Sequence, residues 1–338
     1  MKSYAADLRC RDDSAYAAPC GLVRVLEKQL LGAERIDELL AAPDPAALLR
    51  MLVRYGALSG ASEHLEREWE RALELSLRES DRTLLAMDPR PAVSEVLVAR
   101  ADLVNLRSLL RSRALGVPFD GTWHPRGRLG RAALEESVSS GDWKAWPPRL
   151  ARAFEALGEI GPSTTLPALN DALDTAWFGA LLAAARASGS RFFIDWLGHA
   201  VDLVNIRTRL RVAAAPRAWP ALPAPLPGGH LEAGRFAAGA TPEEFLAGIG
   251  RTVYAPLAER ASAGGGGVSL VAYERAAGDF LTRLLEPARY VSLGPEPLWA
   301  WHLAREIDAK NVRALVLGAL AGIEPERRRA LLRQPYGA

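Results

Sequence analysis

The chain has 338 residues, 49% of them hydrophobic and 24% charged, with a formal net charge of +2. That is length enough for about two or three domains with ordinary packed cores. The near-neutral balance gives no case for nucleic acid as the main partner. The positive charge is nearly all arginine, with lysine only at Lys2, Lys28, Lys144 and Lys310. Arginine's planar fork suits carboxylate partners at protein interfaces, although a GC-rich genome would leave the same bias.

The first residues, Met1 to Asp13, are charged throughout and hold no apolar core, unlike a signal peptide. Cys10 and Cys20 cannot form a CxxC site or a disulfide framework, so a reduced, cytoplasmic setting is the expectation. Tyr16 to Arg24 contains Pro19 and Gly21, and a helix is expected to start near Pro19, since proline suits a first turn. Leu65 to Met87 reads as one long helix, with Leu65, Trp69, Leu73, Leu77 and Leu84 recurring near three and four residues apart. Strand signals are nearly absent, and the class is all-α.

A short line then occurs three times. Asp102-Leu-Val-Asn105-Leu-Arg107 returns as Asp202-Leu-Val-Asn205-Ile-Arg207 and again as Asp308-Ala-Lys-Asn311-Val-Arg313, at steps of 100 and 106 residues. The unit is too long for a solenoid repeat and implies three related small domains, at 1–118, 119–225 and 226–338. A helix precedes each copy. Glu74 and Asp174 lie 100 positions apart within it, and the third copy holds Tyr273 to Phe280 at the same place. The breaks before the motif carry turn chemistry: Asp88-Pro-Arg-Pro91, Ser188-Gly-Ser190 and Gly294-Pro-Glu-Pro297. Gly116, Pro216 and Gly322 stop the motif helices. Downstream, Trp123-His124-Pro-Arg126 is echoed around His230. Pro216 to Gly229 reads as a proline-rich linker, and Ala263 to Gly267 as a flexible loop.

On a helix, Asp at i and Asn at i+3 share a face, beside the apolar stripe Leu103, Leu106 and Leu110 and the basic edge Arg107 and Arg111. Two roles stay open for the motif. It can fix helix docking within each unit by binding backbone groups of a nearby loop. Alternatively, its arginine edges can face a shared central space and meet an acidic partner.

No catalytic, cofactor-binding or metal-binding constellation emerges. HExxH, GxSxG and a Gly-rich loop followed by Lys-Ser/Thr are all missing from the sequence. His64, His124, His199, His230 and His302 are scattered, with no two at i, i+4, and read as packing or surface residues. Glu135-Glu136 and Glu243-Glu244 are expected at helix starts, where they suit the dipole. Trp299 and Trp301 read as core or interface anchors. The longest uncharged apolar run, Ala314 to Ile323, is far short of the roughly 20 residues of a membrane span.

The three Asp-x-x-Asn-x-Arg lines resemble those of the central-stalk adaptor of rotary ATPases. That family, the C/AC39 family, comprises the adaptor of the V/A-type (archaeal and bacterial) enzymes and its counterpart in the eukaryotic vacuolar enzyme. Ala288 to Arg313, Phe192 to Arg207, and Ile323 to Tyr336 are similar to it as well, and the likeness covers about residues 60–338. The Tyr16 to Arg24 opening departs from the family's usual first helix.

The resemblance implies an all-helical funnel of three similar domains with pseudo-threefold symmetry and no active site of its own. It further implies a peripheral position on the cytoplasmic face of the membrane. There such a protein joins the central-shaft subunits (D/F type) to the membrane proteolipid ring and couples ATP hydrolysis or synthesis to proton or sodium transport. The alternative is a free-standing helical scaffold that binds acidic protein or nucleic-acid partners through its arginines.

Overall fold

A computed structural model describes residues 13–59, 64–119, 121, 123–157, 165–213, 224–237, 239, 241–263 and 267–337. Every regular element among them is helical. In chain order these are α1 (Ala17–Leu26), α2 (Ala33–Leu40), α3 (Pro45–Arg54), α4 (Leu65–Met87), α5 (Ala92–Val98), α6 (Arg100–Leu115), α7 (Arg131–Ser140) and α8 (Pro148–Glu155). They continue as α9 (Leu166–Ser188), α10 (Arg191–Ala213), α11 (Ala233–Ala237), α12 (Pro242–Ile249), α13 (Ala255–Ser262), α14 (Leu270–Leu285), α15 (Glu296–Leu320) and α16 (Pro325–Arg329). No helix among the described residues is long and apolar enough to cross a membrane.

The helix bounds follow local chemistry. The helix α4 covers the range that the apolar period marks. The caps of α3 and α12 are Asp44 and Thr241, whose side chains accept from Ala47 N and Glu244 N at N3, each just before a proline at N1. Gly116 and Gly322, at φ +65° and +66°, end α6 and α15 in the left-handed region that favours glycine. Pro216, expected to stop the second motif helix, lies outside the described residues, as do Cys10 and most of the 263–267 loop. Glu243 and Glu244 do occupy the first turn of α12. Glu135 and Glu136 do not start a helix. The chain turns helical at Arg131, directly after Gly130, so the pair sits mid-helix and Glu135 binds Arg131 at i, i+4 instead.

The chain packs as two compact units. One holds 1–102, 123–128 and 282–338, and the other 103–122 and 129–281. In the first, α2, α3, α4 and α15 enclose an apolar core that includes Leu39, Leu48, Leu52, Leu73, Val312 and Leu315. In the second, Leu203, Ile206 and Leu210 of α10 pack on Phe245, Ile249, Leu257 and Tyr273. The apolar positions flanking Asp202 and Asn205 are therefore core, which fixes the face of α10 on which those two polar groups emerge.

The opening is seated in the first unit. A 3-10 turn at Ser14–Tyr16 leads into α1. The buried Tyr16 hydroxyl donates to Asp88 Oδ1 at 3.1 Å, and the buried Cys20 thiol lies 3.3 Å from the Gly294 carbonyl. Arg24 donates to the carbonyls of Ala288 and Val291 at 3.2 and 2.7 Å. Trp299 and Trp301 are buried, and Trp299 Nε1 donates to Ser94 Oγ at 3.1 Å.

Candidate functional site

The three asparagines are buried, and two of them do the same job. Asn205 donates through Nδ2 to the Leu226 carbonyl at 3.0 Å and accepts from the Leu226 amide at 2.8 Å. Asn311 donates to the Arg333 carbonyl at 3.1 Å and accepts from the Arg333 amide at 2.8 Å. A carboxamide matches both polar groups of one peptide residue, which a hydroxyl or carboxylate cannot do. The partner stands 21 residues downstream in one copy and 22 in the other. Leu226 belongs to the stretch that reads as a linker, and its described part is docked on α10 by this clamp.

Replacing Asn205 or Asn311 by leucine is expected to lower folding stability by roughly 1–3 kcal/mol, the cost of an orphaned backbone pair. Denaturant unfolding of each variant measures it, and an unchanged midpoint would contradict the clamp.

The aspartates separate in chemistry. Asp202 accepts from the His230 and Leu231 amides at 3.0 and 3.1 Å and from the Tyr254 hydroxyl at 2.8 Å. Gly229 makes this possible, since a Cβ there would overlap Asp202 Oδ1. Burial and the nearby Asp202 charge push the Tyr254 phenol far above its ordinary pKa.

Asp308 is equally buried but accepts from the Leu31 amide at 3.1 Å, with Arg305 at 3.8 Å. Burial raises its pKa to about 6 against that opposite charge. The folded chain therefore holds this proton more tightly than the unfolded chain does. Stability from this group is greatest below about pH 4 and falls as pH rises towards 6. Asp308→Asn is expected to remove that slope, gaining roughly 3 kcal/mol on the wild type between pH 4 and 7. Parallel stability curves across that range would contradict it. Asp102 and Asn105 of the first copy are also buried.

The arginine edges meet acids of the same chain in a regular order. Arg107, of the first copy, pairs with Asp174, on the long helix α9 of the second. Arg211, one turn beyond Arg207 in the second copy, pairs with Glu274 on α14 of the third at 2.7 Å. Arg313, of the third copy, pairs with Glu74 on α4 of the first. The acids stand at 74, 174 and 274, equivalent places in the three copies. Each motif helix thus binds the preceding helix of the next copy, first to second, second to third and third to first. Each pairing lies inside one of the two compact units. Arg207 stands close enough to Tyr273 for its charge to act on that phenol. Partly exposed ion pairs such as Arg107–Asp174 contribute at most about 1 kcal/mol. Their role is to specify which helices pair rather than to supply stability.

Against this geometry, a family model described as ATP synthase (C/AC39) subunit matches residues 19–331. The chain belongs to this C/AC39 family. The C-type subunit of the A-type ATP synthase of Haloferax volcanii is 29% identical over 207 residues, which is 59% of this chain and 58% of that relative. The aligned stretch therefore spans less than two thirds of the relative's length. The family match begins at Pro19, so it takes in α1 and most of the N-terminal stretch whose sequence departs from the usual opening.

The most heavily charged cluster of this family member has no signature in the sequence. Arg126, from the echo after the first motif, donates through Nε and Nη2 to both oxygens of Asp81 at 2.5 and 2.6 Å, and through Nη1 to Glu306. His302 Nδ1 lies 3.7 Å from Asp81. Burial works against the Arg126 charge, but the bonds to Asp81 and the charge of Glu306 outweigh it and raise its pKa. Burial lowers the pKa of His302 despite the acids nearby. The cluster is a fastening of α4, α15 and the 123–128 segment. Arg126, His124 and Glu74 lie close together there, with His124 Nε2 4.0 Å from Glu74.

Proposed function

We propose that the chain is the non-catalytic central-stalk adaptor of a rotary V/A-type ATPase or synthase. It seats the lower end of the shaft subunits (D/F type) on the proteolipid ring and transmits rotation between ATP chemistry and ion movement. It sits peripherally, on the cytoplasmic face of the membrane. The observation that carries this reading is the C/AC39 family match across residues 19–331. The architecture that suits the role is three helical domains, 1–118, 119–225 and 226–338, in a funnel of pseudo-threefold symmetry. The regular succession of Arg107–Asp174, Arg211–Glu274 and Arg313–Glu74 supports that arrangement, because each copy grips the next by the same element.

Asp102, Asn105, Arg107, Asp202, Asn205, Arg207, Asp308, Asn311 and Arg313 act in this reading as the mortar of the three domains. Clamping a downstream segment and pairing with a neighbouring helix need no reacting group. The chain itself carries no catalytic role and no cofactor; nucleotide chemistry and the ion path belong to other subunits. The test is capture of the tagged chain from solubilised membranes. Recovery of proteolipid-ring and shaft subunits supports the adaptor, and recovery of neither overturns it.

A further inference from the structure

Asp195 and His199 stand four residues apart on α10, so they share one face. The loop at 226–231, tied down by Asn205 and Asp202, lays the ring of His230 over Gly198. A Cβ at Gly198 would come within 2.5 Å of His230 Nε2, and only glycine leaves room for this approach. His230 Nε2 lies 3.4 Å from Asp195 Oδ1, and His199 Nε2 lies 4.0 Å from Asp195 Oδ2. One carboxylate oxygen thus faces each ring. One ligand atom from each of the three residues can be chosen so that all lie within 4.8 Å of one another.

The hydrogen bonds behind His199 decide which of its nitrogens carries the proton. The Tyr254 hydroxyl donates to Asp202 Oδ2 at 2.8 Å, and its oxygen lies 2.8 Å from His199 Nδ1. The phenol has one proton, and it is used on Asp202, so Nδ1–H is the donor to the phenol oxygen. His199 Nε2 then presents a lone pair towards a carboxylate oxygen, acceptor against acceptor. A cation between the two resolves that opposition. The Asp202–Tyr254–His199 chain is the kind of outer shell that fixes the tautomer and orientation of a metal-bound imidazole.

We propose that Asp195, His199 and His230 form a binding site for a divalent transition metal, Zn2+ foremost, in the second copy of the repeat. Two imidazoles and a carboxylate are a Zn2+ ligand set, with the remaining position left to water. Ligand bonds of about 2.0–2.1 Å in a tetrahedron put donor atoms roughly 3.3 Å apart. The His230–Asp195 spacing already meets this, and His199 closes by a small side-chain adjustment. His230 Nε2 also lies 2.9 Å from the Asp195 carbonyl. On ligation that nitrogen turns to the ion and the ring carries its proton on Nδ1. The bound ion would fasten the 226–231 loop to α10. At the place of His199 the other copies hold Ala99 and Arg305, so the site is specific to the second copy.

The test uses the full-length protein stripped of metal by a chelator. Zn2+ is titrated in competition with a chromogenic chelator, and Co2+ is titrated with its visible absorption followed. One bound equivalent is expected, with the strong visible bands of a four-coordinate cobalt site. His199→Ala and His230→Gln should each weaken binding by at least about 100-fold, and Tyr254→Phe by roughly 10- to 100-fold. Asp195→Asn, which keeps the side chain's shape, carries the same expectation as the histidine variants, and His124→Gln should bind as the wild type does. Zn2+ should raise the melting temperature of the wild type and leave that of Asp195→Asn unmoved. No stoichiometric binding by the wild type, or an equivalent that survives in Asp195→Asn and both histidine variants, overturns the proposal.

Discussion

Replacing Arg126 by alanine is expected to lower folding stability by about 3–5 kcal/mol, the usual cost of stranding a buried charge. Asp81 is 2% exposed and receives two of its hydrogen bonds from Arg126, so its carboxylate would lose its main compensation. Glu306 would lose the same partner, whose charge and hydrogen bond outweigh burial and hold its pKa below the ordinary value. His302 cannot take over near neutral pH, because burial lowers its pKa and favours the uncharged ring. Arg126→Met combined with Asp81→Leu should recover a good part of the loss, since removing both charges leaves less buried charge uncompensated. Guanidinium unfolding of the single and double variants measures both effects. A loss below about 1 kcal/mol in Arg126→Ala would show that the cluster is well solvated.

Asp202→Leu is the second severe change, expected to cost roughly 3–5 kcal/mol. Three donors turn on this carboxylate: the amides of His230 and Leu231 and the hydroxyl of Tyr254. A buried donor left without a partner costs about 1–3 kcal/mol, and here three are orphaned together. The effect would spread along the 226–231 loop, which Asn205 then holds alone at Leu226. Asp202→Asn should cost less, because one amide oxygen still accepts. The comparison by denaturant unfolding separates the carboxylate's hydrogen bonds from its volume. Equal losses in the two variants would contradict the view that the donors matter.

The helical class, the bounds of α4 and the family were legible because they rest on local signals: an apolar period, caps, and a ten-residue line repeated at nearly equal steps. The partners of that line were not. Asn205 and Asn311 bind backbone more than twenty residues away, and backbone carries no sequence signature. Arg126 meets Asp81 and Glu306 across 45 and 180 residues, and nothing in the spacing joins them. The regular spacing of residues 74, 174 and 274 was present in the sequence. That Arg107, Arg211 and Arg313 reach those acids one copy onward is a fact of packing. Glu135-Glu136 misled because an acidic pair looks alike in a first turn and in mid-helix. Asp195 and His199 escape a test for two histidines at i, i+4, since the mixed pair is completed by His230 from a distant loop.

The central claim is that the repeated Asp-x-x-Asn-x-Arg line builds the three units and is not itself the surface that meets shaft or ring. The most direct test is the Asn205→Leu/Asn311→Leu double variant, with melting temperature and recovery of shaft and proteolipid subunits measured on one preparation, well below its melting point. The expected result is a lowered melting temperature with wild-type recovery of both partners. An unchanged melting temperature with assembly lost would contradict the claim and put the asparagines on the contact surface.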